Sequence, residues 1–295
     1  MPLLEINWTA DPAIFSIGSR EIRWYALMFL IGYAIAYKIA QRMWKRENIN
    51  PQWLDPLLFY TFFGMIIGAR LGHCLFYDPV YYLTHPIKIL YTWEGGLASH
   101  GAVLGIITAI YFFSKKVSHK SMMWTLDKLV TVTGLVAALV RIGNLLNHEI
   151  YGHPTNLPWG VCFIKNLNAW KQGAAPIFTA PSHPTQIYES VCYLLTFVLC
   201  MWLYFKKDAW KKEGLLFGLF MICVFTSRFF IEFLKENQSD FEAGMFLDMG
   251  QLLSIPCILA GIYFVWKALQ KKEQKTVKAE NNSIRKDIKR HRKVK

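Results

Sequence analysis

Within stretches of sequence that are otherwise apolar, a small set of ionisable and amide side chains recurs: Arg70, His100, Arg141, Asn144, Asn147, Glu189, Arg228, Glu232 and Gln251, with Glu149 just beyond one stretch. The planar fork of arginine matches the oxygens of a phosphate, so Arg70, Arg141 and Arg228 together point to a bound anionic group. Acidic residues are few in the same parts of the chain, which makes simple neutralisation a weaker account of the three arginines. Arg141 and Asn144 stand three apart and Arg228 and Glu232 four apart, so each pair shares a helix face. His148 and Glu149 would extend the first face if that helix continues. An Arg228–Glu232 pair would serve equally well to make the burial of both tolerable. His100 follows Glu94-Gly95-Gly96-Leu97-Ala98-Ser99 and precedes Gly101, so bare backbone gives a substrate access to its ring. An imidazole accepts a proton near neutral pH, which suits a general base. A lone histidine at a helix end is ordinarily a hydrogen-bonded bystander, and the flanking glycines are what set this one apart. No second His or Cys stands beside it at ligand spacing, so no metal and no other cofactor is expected. Ser99 lacks the elbow motif that would activate it as a nucleophile.

What positions these groups follows from the composition. A chain of 295 residues that is 54% hydrophobic and 16% aromatic carries more apolar surface than a soluble domain of its size can bury. Seven apolar runs, near 25–41, 55–77, 97–113, 125–147, 186–205, 214–234 and 248–268, are each long enough to cross a bilayer as a helix. The fold class expected is therefore all-α: a polytopic membrane protein with seven transmembrane helices and a small extracytoplasmic cap in 148–185. The formal net charge of +13 could suggest nucleic acid. Its distribution argues otherwise, because Lys and Arg concentrate after spans 1, 3, 5 and 7 and thin out elsewhere. By the positive-inside rule the N-terminus is outside and the C-terminus cytoplasmic, and no nucleic-acid partner is expected. A membrane domain over 1–270 and a basic, disordered tail over 271–295 complete the expected organisation. No cleavable leader is visible before the first span. Glycines at four-residue spacing (Gly64, Gly68, Gly72; Gly101, Gly105) predict that spans 2 and 3 pack closely against neighbours. The six cysteines show no paired spacing and read as small apolar residues. On this topology the charged groups of five spans gather in the outer leaflet. The residues alone thus give a membrane-embedded site for a phospholipid headgroup, with a base and several cations, and leave the reaction type open.

Several strings in this chain resemble one known family. They are Ile14-Phe15-Ser16-Ile17-Gly18 before Trp24-Tyr25, then Gly68-Ala69-Arg70-Leu71-Gly72, Trp93-Glu94-Gly95-Gly96 leading to His100-Gly101, and Arg141-Ile142-Gly143-Asn144 followed by Asn147, Glu149 and Gly152. Further along come His183-Pro184-Thr185-Gln186-Ile187-Tyr188-Glu189, Arg228 with Glu232, and Met249-Gly250-Gln251. In order and spacing they are similar to the prolipoprotein diacylglyceryl transferases, along nearly the whole chain except the tail. The resemblance implies transfer of the diacylglyceryl group of phosphatidylglycerol to the lipobox cysteine of a preprolipoprotein, with formation of a thioether and release of glycerol phosphate. It implies that Arg141 and Arg228 hold the phosphate and that His100 is the base that makes the thiolate. Tyr25, Asn144, Glu149 and Gly152 match positions for lipid orientation, Glu232 would position Arg228, and His183 and Glu189 look like supporting residues. Arg70 and Asn147 complete the expected substrate-binding set. Partners would be phosphatidylglycerol and the signal peptides of preprolipoproteins, and the location a bacterial inner membrane. The sequence departs from the family pattern at Val140 and Ala102, where glycines are expected, and at Val224, where some members carry tyrosine. A rival of another class, a transporter with an outward-facing anion or lipid cavity, would show repeat symmetry and a polar path to the inner side. The sequence has neither.

Overall fold

The computed structural model describes residues 6–18, 20–92, 95–235 and 247–291. Side chains are described for these except at Arg20, at Ser99 and after Gln270. Long helices dominate: α1 (Trp24–Glu47), α2 (Leu54–Phe76), the short α3 (Pro79–Thr84), α4 (Ser99–Phe113), α5 (Met122–Leu146), the short α6 (Leu167–Lys171), α7 (Thr185–Lys206), α8 (Leu215–Glu232) and α9 (Met249–His291). Each of the seven apolar runs becomes one of the long helices, with ends within a few residues of expectation apart from the two that run on, α1 at its C-terminal end and α9. In a bilayer this is what backbone hydrogen bonding requires, since every N–H and C=O must find its partner within the segment.

Six helical segments are long and apolar enough to cross a membrane: Pro51–Phe76, His100–Ser118, Met122–Leu146, Thr185–Lys206, Leu215–Glu232 and Met249–Gln270. The seventh expected span, α1, is a helix of 24 residues. It is not one of those six, because Lys38, Gln41, Arg42, Lys45 and Arg46 dilute its apolar run. The backbone of α9 continues as helix to His291, into the region where the sequence predicts a disordered tail.

The chain divides into two compact units, one of 1–37 with 129–295 and one of 38–128. In the second, α2 and α4 lie against each other through the predicted glycine column. A Cβ on Gly68 would come within 2.4 Å of the Gly101 carbonyl oxygen, and one on Gly105 within 2.0 Å of that of Gly64. An apolar groove of about 630 Å³ follows this contact, with Gly64, Gly68 and Gly105 on its floor and Phe76 and Gly101 at one end. The same unit buries an ion pair between Lys128 and Glu47. Its ammonium also lies over the Trp124 ring, 5.3 Å from the centroid.

The first unit contains the cap, which is less purely helical than an all-α class implies. Parallel pairing joins β1 (Ile6–Asn7) to β4 (Val161–Cys162), and β2 (Ala13–Ile17) pairs antiparallel with β3 (Arg20–Arg23) just before α1. Val161, Phe163 and Leu145 form a small core, covered by Trp8 and Tyr151. Trp8 donates from its indole to the Leu145 carbonyl at 3.1 Å, and its amide donates to Cys162 O. Residues ahead of α1 are thereby tied to the residues after α5.

Candidate functional site

The expectation that His148 and Glu149 extend the Arg141 face of a continuing helix is not met. The helix α5 ends at Leu146, and His148 (φ 55°) and Ile150 (φ 61°) both take left-handed backbone conformations. The chain turns into the cap instead. His148 is buried there, donating from Nε2 to Ala10 O at 2.9 Å while Nδ1 accepts the Ile164 amide at 3.1 Å. This fixes a neutral tautomer with its proton on Nε2. Burial pulls the His148 pKa below its usual value, and the bond to Ala10 and the charge of Asp11 only partly oppose that. His183, also in the cap, is shifted down as well, by burial first and then by the charge of His153.

Three helices of the first unit, and the turn just past α8, deliver charged groups to one connected chain. Arg141 Nε on α5 lies 2.7 Å from Glu189 Oε2 on α7. The other Glu189 oxygen accepts from Lys235 Nζ at 2.9 Å and from the Tyr193 hydroxyl at 3.3 Å. Lys235, just past α8, also donates to Glu232 Oε2 at 3.1 Å. Arg228 on α8 ends the series with its Nε 3.8 Å from the same Glu232 oxygen. The order is Arg141, Glu189, Lys235, Glu232, Arg228, with sign alternating at each step. Such alternation is what the physics of burial demands: an unpaired carboxylate at this depth would be costly, whereas one held between two cations is not. The Glu189 side chain is fully buried, that of Arg141 is 16% exposed and that of Arg228 is 35% exposed. The two arginines at the ends are thus the most exposed members of the series.

A second polar group adjoins Arg141. Its Nη1 donates to Asn144 Oδ1 at 3.3 Å, while Asn144 Nδ2 and Asn147 Nδ2 donate to Glu149 Oε1 at 2.8 and 3.2 Å. Buried Gln186 on α7 donates to the Glu149 backbone carbonyl at 2.7 Å, holding the turn after α5 against α7. Tyr25, near the start of α1, packs on Gly143 between Arg141 and Asn144, where a Cβ would meet its ring at 2.8 Å.

Gly152 has a plain geometric role. It forms an antiparallel bridge with Lys235, and a Cβ there would stand 2.2 Å from Leu234 O and 2.9 Å from the Cβ of His183. Only a glycine lets three strands of backbone meet where Lys235 must enter between two carboxylates. His183 accepts the Gly152 amide through its own carbonyl at 2.9 Å. Its ring lies 3.4 Å from the Tyr188 hydroxyl, which also accepts from Trp159 Nε1 at 2.8 Å. Gly250 packs on the Glu232 carboxylate, where a Cβ would come within 2.5 Å of Cδ.

Arg70 and His100 belong to the other unit. Arg70 is 4% exposed, and its guanidinium reaches backbone on three sides: Nε to Ile89 O at 2.8 Å, Nη2 to Lys88 O at 2.6 Å, and Nη1 to Gly95 O at 2.6 Å and Gly96 O at 3.1 Å. The carbon at its centre stacks over the Tyr82 ring at 5.1 Å. Scarce acidic partners argued for phosphate at the arginines, but Arg141 has Glu189, and Arg70, among the described residues, is held by four backbone carbonyls and the Tyr82 ring. His100 opens α4 with an exposed ring, set edge-on to Phe76 at 5.3 Å and stacked on Tyr77 at 6.0 Å. Ahead of it Gly95 and Gly96 have φ of 90° and 71°, which admits glycine most readily. Trp93 and Glu94 of the same motif lie outside the described residues.

Sequence reasoning missed Lys235 and Tyr193. Lys235 stands three residues after Glu232, a spacing that signals contact, but its position just past a span reads as a side chain snorkelling to headgroups.

Helices long and apolar enough to cross a membrane, with an alternating chain of cations and carboxylates among those of the first unit, are the construction of a polytopic membrane protein. Residues 12–267 match the family model described as prolipoprotein diacylglyceryl transferase. The phosphatidylglycerol–prolipoprotein diacylglyceryl transferase of Porphyromonas gingivalis is 48% identical over 271 residues, covering 90% of this chain and 95% of that protein. Those of Tolumonas auensis and Bacteroides fragilis are 41% and 40% identical, over 90% and 92% of this chain and 98% and 99% of theirs. The chain belongs to the prolipoprotein diacylglyceryl transferase family. Nothing among these relatives favours a transporter.

Proposed function

We propose that this protein transfers the diacylglyceryl group of phosphatidylglycerol to the lipobox cysteine thiol of preprolipoproteins, in the inner membrane of a bacterium. The thiol loses its proton, and the sulfur forms a bond to the glyceryl carbon as the carbon–oxygen bond to phosphate breaks. Glycerol phosphate leaves with the bonding electron pair and the negative charge. A leaving group of that kind needs cations fixed in place before the reaction, because dipoles that must reorganise stabilise it less. The observation that carries the reading is the alternating chain ending in Arg141 and Arg228, in a chain of this family. Each terminal arginine is braced from behind by a buried carboxylate, and Arg228, in the loosest of the ion pairs, retains the most freedom to close on phosphate.

In this reading Arg141 and Arg228 hold the phosphate and His100 takes the thiol proton. Tyr25, Asn144, Asn147 and Glu149 orient the lipid around Arg141. Glu189 and Glu232 are positioning residues for the two arginines, Gly152 holds Lys235 between them, and His183 braces the cap. The apolar groove along α2 and α4 suits an acyl chain. Arg70 acts on the backbone ahead of His100, not on phosphate. For the whole chain we propose seven spans with the N-terminus and cap outside, and the basic tail of 271–295 on the cytoplasmic side.

The test is incubation of purified protein with phosphatidylglycerol and a lipobox peptide, with the peptide mass as readout. A gain of one diacylglyceryl unit is expected. Arg141→Ala and Arg228→Ala each lower the rate by about 10²–10³-fold, the usual loss when one preorganised charge stabiliser is removed. An unmodified peptide, or undiminished transfer in both variants, defeats the reading.

A further inference from the structure

His100 meets the C-terminal end of α2 through two aromatic rings. Phe76 stands edge-on to it at 5.3 Å, and Tyr77 stacks on it at 6.0 Å with 25° between the planes. Tyr77 is in turn stacked on a second histidine that the proposed reaction does not use. His73 lies four residues earlier, on the same face of α2, with its ring 5.3 Å from that of Tyr77 and inclined by 18°. The Tyr82 ring stands edge-on to His73 at 6.0 Å. All of these separations fall in the range of about 4.5–7 Å over which aromatic pairs attract and orient each other.

The half-buried His73 ring also lies against the backbone that leads into His100. A Cβ on Gly96 would come within 2.6 Å of His73 Cδ2 and Nε2 and within 2.7 Å of Arg70 Nη1. The same stretch of backbone is anchored on α2 at two further points: Arg70 donates to the Gly95 and Gly96 carbonyls, and the Ala98 amide donates to Ala69 O at 2.9 Å. His73 therefore touches both of the routes that fix His100, the turn ahead of it and the ring on which it stacks.

We propose that His73 is a positioning residue for His100: its ring, set against the Gly96 turn and stacked on Tyr77, fixes the direction in which the His100 imidazole points. Tyr77 transmits the constraint from α2 to the first turn of α4. A planar ring at position 73 is what these contacts use, so an aromatic substitute serves in its place and a small side chain does not. The geometric part of the inference stands on the packing alone. Its effect on rate rests on the reading of His100 as the group that takes the thiol proton.

The test follows the His100 ring by NMR in full-length protein carrying ¹³C-labelled histidine, at one fixed pH, with the signal assigned by its loss in His100→Gln. Stacking on Tyr77 shields the His100 Hε1 proton. We expect that upfield shift to be lost in His73→Ala and in Tyr77→Leu and to persist in His73→Phe. In transfer from phosphatidylglycerol to a lipobox peptide, His73→Ala should lower kcat by roughly 10–100-fold, up to the loss that a misplacement of about 1 Å causes. KM should stay unchanged, and His73→Phe should restore the rate. In a His100→Gln background His73→Ala should have no further effect, because a residue that acts through another then has nothing to act on. A His100 signal that is the same in His73→Ala as in wild type overturns the proposal. So do a displaced signal with undiminished kcat where His100→Gln is inactive, and additive losses in the double variant. Wild-type transfer by His100→Gln removes the base reading instead, and the ring shift then decides by itself whether His73 positions His100.

Discussion

Lys235 is the residue whose removal separates the physics of this site most cleanly. Its ammonium lies 2.9 Å from Glu189 Oε1 and 3.1 Å from Glu232 Oε2, and its side chain is 3% exposed. Lys235→Met keeps the bulk and removes the charge, so each carboxylate loses one of its two cations. Breaking a buried network in this way costs about 3–5 kcal/mol. We expect a lowered melting temperature in detergent, largely recovered in Lys235→Arg, and wild-type stability in the Met variant would contradict the assignment. The second residue-scale case is His148, whose ring is neutral because Nδ1 accepts the Ile164 amide. Protonation would set N–H against N–H. Its folded pKa lies below the reference of 6.5, so the unfolded chain binds the proton more readily. The stability it contributes is complete above about pH 6.5 and declines as pH falls through that value toward the folded pKa. His183 adds to the same slope. Thermal unfolding between pH 7.5 and 5.5 should show this loss, and His148→Gln should flatten part of it. An unchanged slope in that variant would remove His148 as a source.

At the scale of elements, the glycine column decides how closely α2 and α4 approach. A methyl group on Gly105 meets backbone, the Gly64 carbonyl at 2.0 Å, which has no rotamer to move into. Gly105→Ala should therefore force the helices apart and cost about 1–3 kcal/mol or more. Gly32→Ala is the comparison, since its nearest contact is 3.2 Å away, and it should cost less in the same thermal melts. Equal costs would mean that the column does not set the packing. These two helices show what a sequence can reveal. Their glycines, spaced one turn apart in an apolar run, carry a local signal, as do the limits of α2 and α7, which fall within a residue or two of the apolar runs. The short helices over 79–90 carry none, because elements that short leave no period to detect, whereas the Gly18-Ser19 pair between the β2 and β3 runs is a hairpin signal that a search for membrane spans passes over. The same holds within the site. Arg228 and Glu232 announce each other at four residues' spacing, whereas Arg141 meets Glu189 across 48 positions, and only the packing of α5 on α7 brings them together. Lys235 was hidden by its place at the end of a span.

For the molecule as a whole, the cap supplies an argument for the crossing of α1 that hydropathy does not. At 1.5 Å per residue its 24 residues extend about 36 Å, enough for a hydrocarbon core of about 30 Å. The strand β1 ahead of α1 pairs with β4 in the cap, and His148 donates to Ala10 O. Residues before α1 and after α5 must then lie on the same side of the membrane. Between them stand α1, α2, α4 and α5. If all four cross, the chain returns to its starting side, whereas three crossings would leave β1 and β4 with a bilayer between them. Parity thus supports α1 as a span in spite of its basic C-terminal half, whose Lys45 and Arg46 then sit on the cytoplasmic side as the positive-inside rule prefers. The bridge between Gly152 and Lys235 brings the end of α8 to the cap, and in the proposed topology α9 carries the C-terminus across from there. In spheroplasts, cysteines introduced as Thr9→Cys and Ala174→Cys should both react with a membrane-impermeant maleimide, and Asn282→Cys only after permeabilisation. Protection of Thr9→Cys while Ala174→Cys reacts would put the membrane between β1 and β4 and remove α1 from the spans. Reaction of all three in intact cells would leave the number of crossings even.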